Sequence, residues 1–143
     1  MQLYSHILDL RIWHPKLDPD AVSSTLGIEP KIAWRDGEPR KTPKGTALQG
    51  VRSGGYWSAN PFSYGWQPST DMQLEDALEE LVSFLEPHRE FLHELSQEGT
   101  VRIWASTQSA RNYALELTPK MLERLSLLGA TLVHDVYQGP QSA

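Results

Sequence analysis

Residues 4–14 alternate apolar and polar positions, with His6, Leu8, Leu10, Ile12 and His14 on one face and Ile7, Asp9, Arg11 and Trp13 on the other. That period of two predicts a half-buried strand. Asp18-Pro19 then opens a short helix, the carboxylate as N-cap and the proline at the first helical position. Leu26-Gly27 closes it, because glycine takes the left-handed conformation that ends helices. Residues 31–35 predict a second strand, stopped at Asp36-Gly37. Thr70-x-x-Gln73 reads as a capping box. Behind it Leu74, Ala77, Leu78, Leu81, Val82 and Leu85 recur at helical spacing, the clearest amphipathic helix in the chain. Pro87 breaks that helix, and a second one, 88–97, buries Phe91, Leu92 and Leu95 before Gly99.

Residues 100–106 and 112–118 alternate again and predict a hairpin across 107–111. Thr118-Pro119 starts a last helix that Gly129 ends, residues 130–137 form the last strand, and 138–143 is a frayed tail. The expected order is β-α-β-β-α-α-β-β-α-β. A strand–x–Pro–helix–Leu-Gly–strand pattern occurs at 7–35 and 113–137, a weak repeat of two βαβ-like units. The fold class is therefore α+β: a mostly antiparallel sheet of about six strands, helices on one face, in a ferredoxin-like manner.

Residues 37–69 stand apart. They hold six of the ten glycines, four of the ten prolines and five aromatics. A short strand around Gly55-Tyr56-Trp57-Ser58-Ala59 is expected, flanked by irregular loops; loops this long in a compact domain signal function or disorder.

Length and composition bound the rest. A chain of 143 residues fits one domain, 1–143, with enough core to fold without cross-links. The absence of cysteine removes disulfides, thiolate nucleophiles and cysteine-ligated metals, leaving the cytoplasm as the expected compartment. The opening residues do not read as a signal peptide, and no run approaches the roughly 18 apolar residues of a membrane span. The net charge of -5 discourages nucleic-acid binding. It is unevenly placed: residues 1–69 carry 8 basic and 6 acidic side chains, residues 70–143 carry 5 and 12. Between Asp71 and Glu98 nine acids meet one base, Arg89. Such a face is either a solvated helix surface or a docking surface for a basic protein.

If helices cover one side of the sheet, the opposite parity carries Asp9, Arg11, Trp13, Arg102, Trp104, Glu116 and Asp135, with Tyr137 beside Asp135. Cross-strand pairing on an ordinary open sheet would explain that mixture. A ligand or peptide platform would explain it too, since Trp and Arg dominate interface energetics. A second candidate joins Trp34, Trp57, Tyr64 and Trp66 with Arg35, Arg40 and Arg52 in a pocket for a small anionic or planar ligand. For that segment the plain alternative is Trp57 as a core anchor and Gly54-Gly55 as a tight entry turn. The candidate binding residues are thus Arg11, Trp13, Trp34, Arg35, Arg52, Trp57, Trp66, Arg102, Trp104 and Asp135.

Catalytic patterns fail one by one. His93-Glu94-Leu95-Ser96-Gln97 lacks the second histidine of a zinc-protease helix, and Glu90-x-x-His93 occurs once where a di-iron site needs two copies. Neither a Gly-x-Ser-x-Gly elbow nor a phosphate loop is present. Asp9, Glu116 and Asp135 remain as carboxylates that a sheet could bring together. No catalytic residue, metal ligand or cofactor is assigned.

In order along the chain, Leu17-Asp18-Pro19-Asp20, Leu26-Gly27-Ile28-Glu29-Pro30, Arg35-Asp36-Gly37-Glu38, Gly55-Tyr56-Trp57-Ser58, the acidic helix from Leu74, Leu128-Gly129 and Asp135-Val136-Tyr137 resemble an uncharacterised bacterial family, domain of unknown function 4279. The resemblance implies a single bacterial domain and supplies no catalytic residue. The expectation is a non-enzymatic protein-binding module, one form of which is an immunity type that masks a basic partner. The alternative is a small-molecule-binding or enzymatic domain using residues 34–66 and the open sheet face.

Overall fold

The computed structural model describes residues 3–63 and 65–138. The first strand, β1 (Ser5–His14), lies at the centre of a six-stranded sheet. Its even-numbered side chains His6, Leu8, Leu10 and Ile12 are buried. The alternation of the sequence thus becomes a sheet with one covered face. Helix α1 (Pro19–Leu26) begins where Asp18 accepts the Asp20 amide and ends on left-handed Gly27 (φ 69°). Next come β2 (Ile32–Trp34), β3 (Pro39–Lys41), β4 (Ala47–Val51), β5 (Gly55–Ala59) and β6 (Gln67–Pro68).

Helix α2 (Leu74–Leu85) leads through a 3-10 turn at Glu86–His88 into α3 (Arg89–Glu98), then β7 (Thr100–Ser109), α4 (Pro119–Leu128) and β8 (Ala130–Gln138). The sheet order is β2-β5-β1-β7-β8, with β6 also paired to β1; every pairing is antiparallel except β7 with β8. The fold class is α+β with a mostly antiparallel sheet, as the pattern predicts. The helices cover the even face of β1, where Trp57, Leu78, Leu81, Leu85, Leu92, Ile103 and Leu128 form one continuous core.

The element order differs from expectation in several places. The expected strand at Gly55–Ala59 is β5, and its flanks carry further strands: β3 and β4 form their own two-stranded sheet, and β6 adds to β1. The expected 112–118 strand is absent, and with it the hairpin expected across 107–111. The position beside β7 is filled by β8, whose parallel pairing is bridged by α4. Residues 113, 115 and 117 still alternate with their neighbours, because Tyr113, Leu115 and Leu117 pack on the core from an extended segment without a ladder. Alternation reports one buried side, and the hydrogen-bond partner is decided elsewhere. The βαβ-like repeat holds in split form for the first unit, where β1 and β2 run parallel with β5 between them and antiparallel to both; the second unit, 113–137, lacks its first strand.

The capping box does not form either: Gln73 occupies the N-cap without a side-chain bond. The buried amide of Leu74 instead donates to the Tyr4 hydroxyl at 2.9 Å. Gln138, read as tail, ends β8, and the rest of that tail, 139–143, lies outside the described residues.

Candidate functional site

The register places the odd residues of β1 on the uncovered face. Arg11 stands opposite Arg102, and Asp9 opposite Trp104; next in line on β8 come Thr131 and Val133, with Asp135 beside Ser106. The Arg11 guanidinium lies over the Trp104 ring, 4.0 Å from its centroid. Trp104 Nε1–H donates to Asp135 Oδ2 at 3.2 Å. Arg11 is 3.8 Å from Asp9 Oδ2, while Asp9 Oδ1 is buried and has no hydrogen-bond partner among the described residues. Arg102 is half-buried, and its guanidinium has no ion pair, hydrogen bond or ring contact among the described residues.

Like charges directly opposite on neighbouring strands destabilise a sheet. Arg11 escapes this by leaning onto Trp104 and towards Asp9. Arg102 has no such outlet. A buried carboxylate oxygen without a donor costs about 1–3 kcal/mol, so the centre of this face combines an unpaired cation with an unsatisfied acceptor.

A second aromatic–guanidinium stack flanks it. Trp34 and Tyr56 stack at 4.6 Å, with Arg52 over Trp34 at 3.9 Å. Trp13 Nε1–H donates to the Ser53 carbonyl at 3.0 Å. The turn beneath it needs glycine: Gly54 has φ 83°, and a Cβ there would come within 2.5 Å of the Trp13 indole nitrogen. Asp36 accepts the Gly54 amide at 2.8 Å, and this bond, with Lys16, holds its carboxyl below the usual range. At the other end of the face, Trp66 meets Tyr137 edge-on at 5.9 Å.

Arg11, Trp13, Trp34, Arg52, Trp66, Arg102, Trp104 and Asp135 therefore belong to one side of the molecule. Two expected members do not. Trp57 is fully buried on the helix side, its Nε1–H donating to Ser23 Oγ at 3.0 Å, because its parity in β5 matches Ile12. Arg35 turns to the start of α1, bonding Asp18 at 2.9 Å and Asp20 at 2.8 Å, and the Asp18 bond raises its pKa. Arg40 reaches the Gln49 carbonyl inside the β3–β4 hairpin. The pocket expected from 34–66 is thus dispersed; Tyr64, read as part of it, lies outside the described residues. Glu116 is off the sheet altogether, its amide donating to Glu75 Oε2, so it does not join Asp9 and Asp135.

Sequence reasoning missed a polar network on the helix side. Buried Thr107 Oγ1 bonds the Tyr113 hydroxyl and lies 2.8 Å from His134 Nε2. Tyr4 stacks on Tyr113 at 4.8 Å and donates to Glu75 Oε1 at 3.3 Å. Burial, chiefly, raises the Tyr4 pKa. The shared parity of His6 and Tyr4's distance from it gave no clue to this, since Tyr113 arrives from outside the sheet. Among the described residues no three His, Asp or Glu side chains are grouped to hold a metal ion, and no helix is long and apolar enough to cross a membrane.

No curated protein and no solved structure matches the chain. The family model described as Domain of unknown function (DUF4279) matches residues 2–139, and the chain belongs to that family.

Proposed function

We propose that this domain is a non-enzymatic binding module that holds an acidic segment of a partner protein on the open face of its sheet. The observation that carries this reading is Arg102, a half-buried guanidinium without a counter-ion among the described residues, set opposite Arg11. Two adjacent guanidiniums suit a carboxylate, which accepts paired N–H bonds. Trp104, Trp13 and Trp34 add the aromatic area that anchors protein interfaces. The broad face favours a polypeptide over an enclosed metabolite.

The alternative basic partner on the acidic helices has less support. Glu79 and Glu86 share Arg124 as their ion-pair partner, and Glu75 is taken by Tyr4 and the Glu116 amide.

The test is an NMR titration of the indole N–H signals with a Glu-rich, tyrosine-containing peptide. Trp104 should shift, and R102Q should weaken binding at least tenfold, about 1.4 kcal/mol, with a salt dependence. No shift at Trp104, or equal binding by R102Q, overturns the reading. Shifts confined to α2 and α3 with a Lys-rich peptide would establish the alternative.

A further inference from the structure

We propose that β8 pairs with β8 of a second copy of this chain, joining two sheets into one across a two-fold axis. β8 forms one edge of the sheet, and among the described residues nothing pairs with its outer side. Folded proteins normally blunt such edges with short strands, bulges, lysine or proline. The opposite edge, β2, is short, at three residues. β8 has none of these protections. It runs nine residues without Lys, Arg or Pro, and its register with β7 is unbroken from Val101 and Ala130 to Ser109 and Gln138. Apolar surface accompanies the open backbone: Val136 is 61% exposed and Tyr137 49%. Leu122, 52% exposed, stands two residues from Arg124 on α4, hence on the side away from the α2 contacts that Arg124 makes.

The strand is complementary to itself. Keeping both helix layers on the same side of a continuous sheet requires a two-fold normal to it, so facing residues share parity. The register that uses the whole of β8 is centred on His134. It sets Leu132 against Val136 on the helix side, and Thr131 against Tyr137 and Val133 against Asp135 on the open side. The Leu132–Val136 and Thr131–Tyr137 pairs are aliphatic and aromatic–β-branched, of the kind that stabilise antiparallel ladders, and no acid is opposed to an acid. Shifting the centre to Asp135 would set that carboxylate against its own copy. The two Arg11–Arg102 sites would then lie on one side of a continuous surface, although the pairing does not depend on what they bind.

Sedimentation at up to about 100 μM tests this, since association follows mass action. The full chain should sediment as twice 16.2 kDa, and V136K, on the exposed helix side of the strand, as a monomer with an unchanged circular dichroism spectrum. Because the chain has no cysteine, H134C reports the register. Directly opposed residues sit about 4.5–5.5 Å apart at Cα, within the disulfide range of roughly 4.4–6.8 Å, so oxidation should link H134C dimers and leave E94C unlinked. A wild-type monomer throughout the range overturns the proposal. So does a dimer that survives V136K, or one in which H134C links no faster than E94C. R102Q should dimerise normally, which separates this outcome from failure of the open-face reading.

Discussion

Replacing Trp57 by Phe tests whether this residue belongs to the core or to a binding surface. The indole is fully buried between β5 and α1, and its N–H reaches Ser23 Oγ at 3.0 Å. Aromatic side chains bury about 150–250 Å². Shrinking Trp to Phe therefore removes on the order of 50–100 Å² of contact, worth roughly 1–2.5 kcal/mol at ~25 cal/mol/Å². The lost hydrogen bond adds about 0.5–1.5 kcal/mol. Ser23 keeps its own donation to the Pro19 carbonyl at 3.2 Å, so no donor is stranded and the cost stays near the sum, about 2–4 kcal/mol. For a domain of this size that lowers Tm by roughly 6–15 °C. Differential scanning calorimetry reads the shift, and W104F serves as the comparison. Trp104 is half-buried on the open face, so W104F should lose less stability while abolishing the Arg11 stack in its present form. Equal Tm values for W57F and wild type, or a larger loss in W104F, would refute the assignment of the two tryptophans to opposite faces.

Two further predictions concern the joints of the fold. Y4F removes the acceptor of the Leu74 amide and the donor to Glu75, and should cost about 1–2 kcal/mol by urea denaturation, the scale of a lost helix cap; a cost near zero would mean that water replaces the hydroxyl. R124M cuts the link from α4 to Glu79, Ser83 and Glu86 on and beyond α2. The Arg124 hydrogen bond holds the Glu86 pKa below its ordinary 4.5. In that window the unfolded state binds more protons, so stability is complete above the ordinary value and falls as pH drops through the folded one. R124M should flatten this acid limb of the stability–pH curve, and an unchanged slope would contradict the pairing.

The sequence carried much of the local structure. Asp18-Pro19 and Leu26-Gly27 bound α1, Thr118 caps α4 by accepting the Met121 amide, and Gly129 ends it at φ 70°. These signals act within a few residues, where steric and hydrogen-bonding rules need no distant partner. Parity likewise sorted Arg11, Trp104 and Asp135 onto one face before any pairing was known. Partner choice was another matter. The alternation at 113–117 looked like a strand, yet its ladder position went to β8. Thr70-x-x-Gln73 looked like a cap, yet the amide of Leu74 is held by Tyr4, seventy residues away. Trp57 and Trp34 are both aromatic residues of short strands in the Gly/Pro-rich half, but only the registers of β5 against β1 and β2 put one in the core and the other on the surface.

The acidic surplus behaved the same way. Its position was plain in the sequence, whereas the capture of Glu79 and Glu86 by Arg124 required two helices to pack. Local backbone and burial parity were therefore written in the residues themselves. Which charges are paired, and that Arg102 has no partner among the described residues, followed only from strands and helices distant in sequence being brought side by side, because Coulomb and hydrogen-bond interactions depend on distances that the chain order does not contain.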